Sequence, residues 1–164
     1  MRYALAALLA ACAARQGPPP DPGSAIVVGT MDRSGCFGEC PDYTLTVYSN
    51  GVVLFERHRD EAGGRDGEPK RGRRLSKGEL AELTRAFEKA GFAALGDYER
   101  DDCTDFQTVT LEWQGHEVVH YWGDQSAPRR LYDLEAAFDR IVGTRQWLGR
   151  DPHEVGPNGT YCGR

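Results

Sequence analysis

No run of about 20 consecutive apolar residues, the length a bilayer-spanning helix requires, occurs in this 164-residue sequence. A cationic excess is missing too. Twenty Lys and Arg face 25 Asp and Glu, a formal charge of −5. Nucleic-acid binders draw most of their affinity from Lys and Arg neutralising phosphates, so this balance argues against that class. The sequence has no G-x-S-x-G, no H-E-x-x-H and no glycine-rich phosphate loop between a strand and a helix. Each familiar nucleophile, metalloprotease or nucleotide signature is thereby left out. Gly and Pro together make 29 residues, below the range of disordered chains, so a single folded domain is expected.

What is present begins at the N-terminus. Arg2 precedes a short apolar run, Tyr3 to Ala11, followed by Leu9-Ala10-Ala11-Cys12 as its closing tetrapeptide. A charged start, an apolar middle and small residues before a break are the parts of a secretory signal, expected over residues 1–11. The tetrapeptide resembles the lipobox of bacterial lipoproteins, which implies acylation of Cys12 and a lipid-anchored protein of the bacterial cell envelope. Ala13 rather than Asp follows, which favours the outer membrane where an organism has two. Residues 13–24 contain Pro18, Pro19, Pro20 and Pro22, and read as a stiff tether between lipid and domain.

Five cysteines are an odd number for an oxidising compartment. Assigning Cys12 to lipid leaves Cys36, Cys40, Cys103 and Cys162, an even set that suggests two disulfides. Three connectivities exist. The favoured one joins Cys36 to Cys40 across a small loop containing Gly38, and Cys103 to Cys162, stapling the C-terminal tail. A thiol-redox or zinc role for Cys36 and Cys40 is the competing reading. Against redox, Pro41 and a strand follow Cys40, where a helix N-terminus would lower a thiol pKa.

The body reads as a hairpin–helix unit used twice. Ala25 to Met31 is an expected strand. Tyr43 to Tyr48 alternates strictly, Asn50-Gly51 suits a type I′ turn, and Val52 to Glu56 returns. Ser76 and Glu79 form a capping box before Leu80, Leu83 and Phe87, and Gly91 closes that helix, with Phe92 positioned for an apolar contact. Thr108 to Trp113, Gln114-Gly115 and His116 to Trp122 repeat the hairpin. Pro128 then opens a helix with the stripe Leu131, Leu134, Phe138 and Ile141, closed by Gly143. The expected class is α+β: about five mainly antiparallel strands in two layers, with two helices on one face.

Ser34-Gly35-Cys36-Phe37-Gly38-Glu39-Cys40-Pro41-Asp42-Tyr43, followed by a Thr-rich hairpin, resembles the start of the DUF6438 family. Phe87-Glu88-Lys89-Ala90-Gly91-Phe92, Thr104-Asp105, His120-Tyr121-Trp122-Gly123-Asp124 and Ala127-Pro128 fit it as well. The resemblance covers about residues 25–142, within a single domain taken as 25–164 with a tail over 144–164. It implies a bacterial, often exported domain with no assigned biochemical role, and it supplies no catalytic residue. The charged stretch at 57–74 and the tail depart from that pattern.

The candidate ligand or partner contacts are His120, Tyr121, Trp122 and Asp124. A two-residue second turn would pair His120 with Val109 and place it on the core face, so a satisfied, partly buried histidine is expected. Asp124 is expected to bond backbone in the strand-to-helix turn. Tyr48, Phe55 and Tyr121 are expected on the opposite sheet face. Residues 56–74 carry seven cations and five acids, with Lys70, Arg71, Arg73 and Arg74 clustered. They read as a solvated loop, with contact to anionic lipid or glycan as the functional alternative. No cofactor, metal, catalytic residue or nucleic-acid partner is expected. A non-catalytic binding or structural module fits best, beside a small thiol or metal enzyme and an inhibitor-like binder of another envelope protein.

Overall fold

The computed structural model describes residues 18–36, 40–58, 70–100, 102 and 106–153. Cys12 and the leader, Cys103 and Cys162 lie outside these residues. The described elements run β1 (Val27–Arg33), β2 (Tyr43–Tyr48), β3 (Val52–Arg57), β4 (Arg71–Arg74), α1 (Lys77–Ala90), β5 (Thr108–Trp113), β6 (His116–Tyr121), α2 (Arg129–Val142) and α3 (Arg145–Leu148). The strands form one antiparallel sheet in the order β4-β3-β2-β1-β5-β6. The class is α+β, with six strands where about five were expected.

The extra strand is β4, inside the stretch read as a loop. Its arginines explain why so charged a segment joins a sheet. Alternation sends Arg71 and Arg73 toward the helices, where they donate to the carbonyls of Trp147 (3.1 Å), Val142 (2.8 Å) and Ile141 (2.7 Å). Those last two are orphan carbonyls at the end of α2, so Arg73 caps that helix. It also pairs with Glu79 at 2.7 Å, linking the end of α2 to the start of α1.

The capping box of α1 forms as its sequence requires, with Ser76 and Glu79 exchanging bonds. The hydrogen bond from Arg73, followed by those from the Ser76 backbone and side chain, lowers the Glu79 pKa to about 2, against a slight upward push from burial. Gly91 ends α1 in the left-handed region, and Phe92 meets Phe87 edge-on at 4.9 Å. Leu83 and Phe87 are buried, while Leu80 is half-buried at the margin. On α2 the whole expected stripe is buried. Phe87 stacks on Trp113 at 4.3 Å and meets Phe138 edge-on at 5.9 Å, joining both helices to the sheet.

The two hairpins turn differently. The second is the two-residue turn expected, with φ of 52° at Gln114 and 83° at Gly115, and it pairs Val109 with His120. In the first, Gly51 alone has positive φ, its N–H donates to Tyr48 O at 2.8 Å, and Val47 faces Val53. That is a three-residue loop with a glycine bulge, not a type I′ turn. The extra residue reverses the faces of β3, so Phe55 is buried opposite Leu45 rather than lying on the outer face. Tyr48 and Tyr121 are half-buried. Phe55 instead stacks between Tyr43 (5.5 Å) and Trp147 (5.2 Å). The segment after Gly143 is therefore packed on the body through Trp147, at least as far as His153.

Candidate functional site

Arg33 ends the central strand β1 and points into the core, with no exposed surface. A buried guanidinium must have its charge and its donors met. Its Nε and Nη2 donate to Asp139 Oδ2 at 3.2 and 3.0 Å, and its Nη1 donates to Gln107 at 3.0 Å. Gln107 passes its own amide protons to the carbonyls of Ser34 and Pro41. Tyr43 donates to Asp139 Oδ1 at 2.7 Å, and His153 Nε2 lies 3.0 Å from both Asp139 Oδ2 and Arg33 Nη2. The Trp122 ring covers the guanidinium at 5.2 Å.

Glu135, one turn before Asp139 on α2, carries the network across the sheet. Its Oε1 lies 2.5 Å from His120 Nδ1, and its Oε2 accepts from the Trp122 indole at 2.8 Å. Arg33 Nη2 is 3.9 Å away, completing a buried ion-pair chain. His120 is fully buried on the core face beside Tyr132, whose ring stands edge-on at 4.5 Å. Its Nε2 and the Thr144 hydroxyl are buried side-chain atoms with no hydrogen-bond partner among the described residues.

The electrostatics follow from the contacts. Burial pushes the Asp139 pKa up, but the Arg33 charge and the bonds from His153 and Tyr43 outweigh it, leaving it below the ordinary 3.8. Burial likewise opposes the charge of Arg33, yet Tyr43, Asp139 and Glu135 raise its pKa above the usual value. Burial pushes the Tyr43 phenol well above 10. Asp139 thus stays an anion, Arg33 a cation and Tyr43 a neutral donor. Both oxygens of each carboxylate already accept from the protein, so the cluster serves as a polar clamp between sheet and α2.

The span from Gly29, inside β1, to Val142, the last residue of α2, is also the span that known sequences recognise: the profile of a domain of unknown function (DUF6438) matches residues 29–142. The chain belongs to the DUF6438 family. A search of curated proteins found no match. In this DUF6438 domain the clamp's Arg33, Tyr43, Gln107, His120, Trp122, Glu135 and Asp139 fall inside the matched span, whereas Trp147 and His153 fall outside it.

Of the four sequence-derived contacts, the structure joins two. His120 and Trp122 share Glu135. Asp124 is buried apart from them, accepting from Arg100 N, Ser126 N and the Ser126 hydroxyl, as a turn-former does. Those bonds outweigh its burial and hold its pKa below 3.8. The Tyr121 hydroxyl accepts from Phe106 N at 3.4 Å. Cys36 and Cys40 form a disulfide.

Two surface features of the DUF6438 domain were not read from the sequence. On the outer sheet face Asp42, His58, Thr44 and Asp32 form a chain: Asp42 Oδ1 to His58 Nδ1 at 2.7 Å, His58 Nε2 to Thr44 Oγ1 at 2.7 Å, and Thr44 Oγ1 to Asp32 at 2.6 Å. The Thr44 hydroxyl of β2 is shared between an imidazole and a carboxylate, so it links β1 to the residue that follows β3. Between α1 and α2 runs an open furrow of about 370 Å³, floored by Ala86, Ala137 and Leu134 and rimmed by Arg85, Lys89, Arg130 and Arg140. Only Glu82 and Asp133 oppose those cations there, and each already pairs with an arginine.

Proposed function

We propose that this DUF6438 protein is an exported, lipid-anchored module of the bacterial envelope that binds a partner without catalysing a reaction. The carrying observation is the tetrapeptide Leu9-Ala10-Ala11-Cys12 at the end of a short apolar run behind Arg2. The Cys36–Cys40 disulfide suits an oxidising compartment. A binding role is supported by the furrow, whose basic rim on a chain of net charge −5 complements an acidic segment of another envelope protein. The clamp supports it too, since its carboxylates are committed to holding the fold.

The anchor is tested with globomycin, which blocks lipoprotein leader cleavage. A precursor should accumulate in treated cells, and a Cys12→Ala chain should ignore the drug. An unchanged processing pattern in the native sequence would refute the anchor. For binding, crosslinking in the intact envelope should recover a partner, and Arg85→Glu with Lys89→Glu should abolish it. Recovery undiminished by those changes would move the partner site away from the furrow.

A further inference from the structure

We infer that one corner of the domain, formed by Ile26, Val27, the first hairpin turn and β4, lies against an anionic phospholipid surface. The inference rests on the reading of Cys12 as the lipid attachment. It begins with the proline-rich segment, whose last part is not a free spacer. N-terminal to β1 the chain straps across the first hairpin. Ser49 N donates to Ile26 O at 2.8 Å, and Asn50 Nδ2 donates to Pro22 O at 3.0 Å. Further back, Pro20 passes over Gly72 in β4, where a Cβ would lie 3.2 Å from Pro20 Cδ and 2.5 Å from Val53 O. Only a glycine permits that approach.

Docking shortens the tether. Eight residue steps separate Cys12 from Pro20, a reach of at most about 28 Å when fully extended. The opposite edge of the six-stranded sheet lies five strand spacings away, roughly 24 Å further. The far edge could face the lipid only with those eight steps drawn almost fully straight, so the strapped edge is the one the tether favours toward the lipid.

Its surface has the matching chemistry. Ile26 is 70 % exposed and Val27 47 %, large apolar side chains left outside the core where the strap meets the hairpin turn. The alternation that turns Arg71 and Arg73 inward leaves Lys70 and Arg74 on the outer face, on either side of Gly72, and exposed Lys77 follows at the start of α1. Arg74 donates to Asn50 O in the turn itself, and Lys70 is paired with exposed Glu56. Apolar tips at a turn that also holds Arg74, with Lys70 and Lys77 along the same edge, suit an interfacial contact, with methyl groups at the headgroup boundary and cations beside lipid phosphates.

The sequence supplies its own probes, because its only lysines are Lys70, Lys77 and Lys89. All three are exposed, and Lys89 sits about 18 Å along α1 from Lys77. Full-length protein is reconstituted in vesicles of phosphatidylcholine alone or mixed equally with phosphatidylglycerol. Amine acylation is then followed by peptide mass spectrometry. On anionic vesicles Lys70 and Lys77 should react about five-fold more slowly relative to Lys89 than on neutral ones. The double change Ile26→Gln, Arg74→Gln, at exposed positions, should restore the neutral-vesicle ratio while leaving the circular dichroism unchanged. Equal ratios on both vesicles, or selective protection of Lys89, would overturn the placement and leave the anchor intact. A Cys12 peptide without acyl mass would instead overturn the anchor, and the placement with it.

Discussion

The two hairpin–helix units share a local grammar and differ in what their helices bury. Helix α1 buries Leu83, Phe87 and Ala90, all apolar. Helix α2 buries Leu131, Leu134, Phe138, Ile141 and Val142, and with them Glu135 and Asp139. The cause lies in neither helix. Arg33 emerges from the strand between the units, pairing Tyr43 on one side and Val109 on the other, with its side chain under α2. One buried cation therefore requires carboxylates from one helix and leaves the other helix free of them. Repetition of a motif does not repeat its core.

Breaking the clamp should give the largest effect and distinguish the units most sharply. Arg33→Met removes the cation and strands two buried carboxylates, so urea denaturation should show a loss of about 3–5 kcal/mol. Adding Asp139→Leu to Arg33→Met should recover part of that loss, since the uncompensated charge goes with it. A double variant no more stable than Arg33→Met would refute the clamp. Acid gives a second readout. The folded pKa of Asp139 is depressed, so its stabilisation is complete well above 3.8 and is lost as pH falls through its lower folded value. Asp139→Asn should flatten the denaturation midpoint against pH in that acid window; a curve of unchanged steepness would assign the acid sensitivity elsewhere.

How far the sequence reads depends on where each signal resides. Helix ends were legible because Ser76, Glu79, Gly91 and Gly143 act within one turn. The second hairpin was legible for the same reason, and with it the inward face of His120. The first hairpin was not, because Asn50-Gly51 serves a two-residue turn and a three-residue bulged loop alike. That single residue sent Phe55 inward onto Tyr43 and Trp147, and neither Trp147 nor the Leu75 contact of the turn is visible in the local pattern. Strand β4 was hidden because its arginines look solvated until Trp147, Ile141 and Val142 supply carbonyls from distant positions. Glu135 and Asp139 look like surface acids of an amphipathic helix. A long-range partner, Arg33, reverses that reading, and no local pattern announces it.

The turns themselves sharpen the comparison at intermediate size. Gly51 and Gly115 have nearly the same positive φ, 81° and 83°, so alanine pays a similar backbone penalty at each. Their surroundings differ. A Cβ on Gly51 would lie 2.8 Å from Leu75 O, whereas one on Gly115 meets nothing within 4 Å. Gly115→Ala should thus cost about 1–2 kcal/mol from backbone strain alone. Gly51→Ala should cost more and also loosen the Leu75 N to Gly51 O bond, which joins the turn to the chain entering α1. Equal losses in thermal or urea melts would mean that the first turn relaxes freely, and that the three-residue loop is not fixed by its contact with Leu75.

The smallest expected difference lies at the helix starts. Ser76 accepts from Glu79 N at 3.2 Å, and Glu79 returns a bond to Ser76 N at 2.7 Å. Pro128 at the corresponding place before α2 makes no side-chain cap, and that helix is held by the clamp and by Arg73 at its far end. Ser76→Ala should therefore cost about 1 kcal/mol. Pro128→Ala should cost only a few tenths, through added freedom in the unfolded chain. Amide hydrogen exchange resolves what a global melt would blur. Ser76→Ala should raise exchange in the first turn of α1, while Pro128→Ala leaves the first turn of α2 close to its starting rate. The reverse order would place the weight of α2 on its N-terminus and remove the asymmetry that Arg33 imposes.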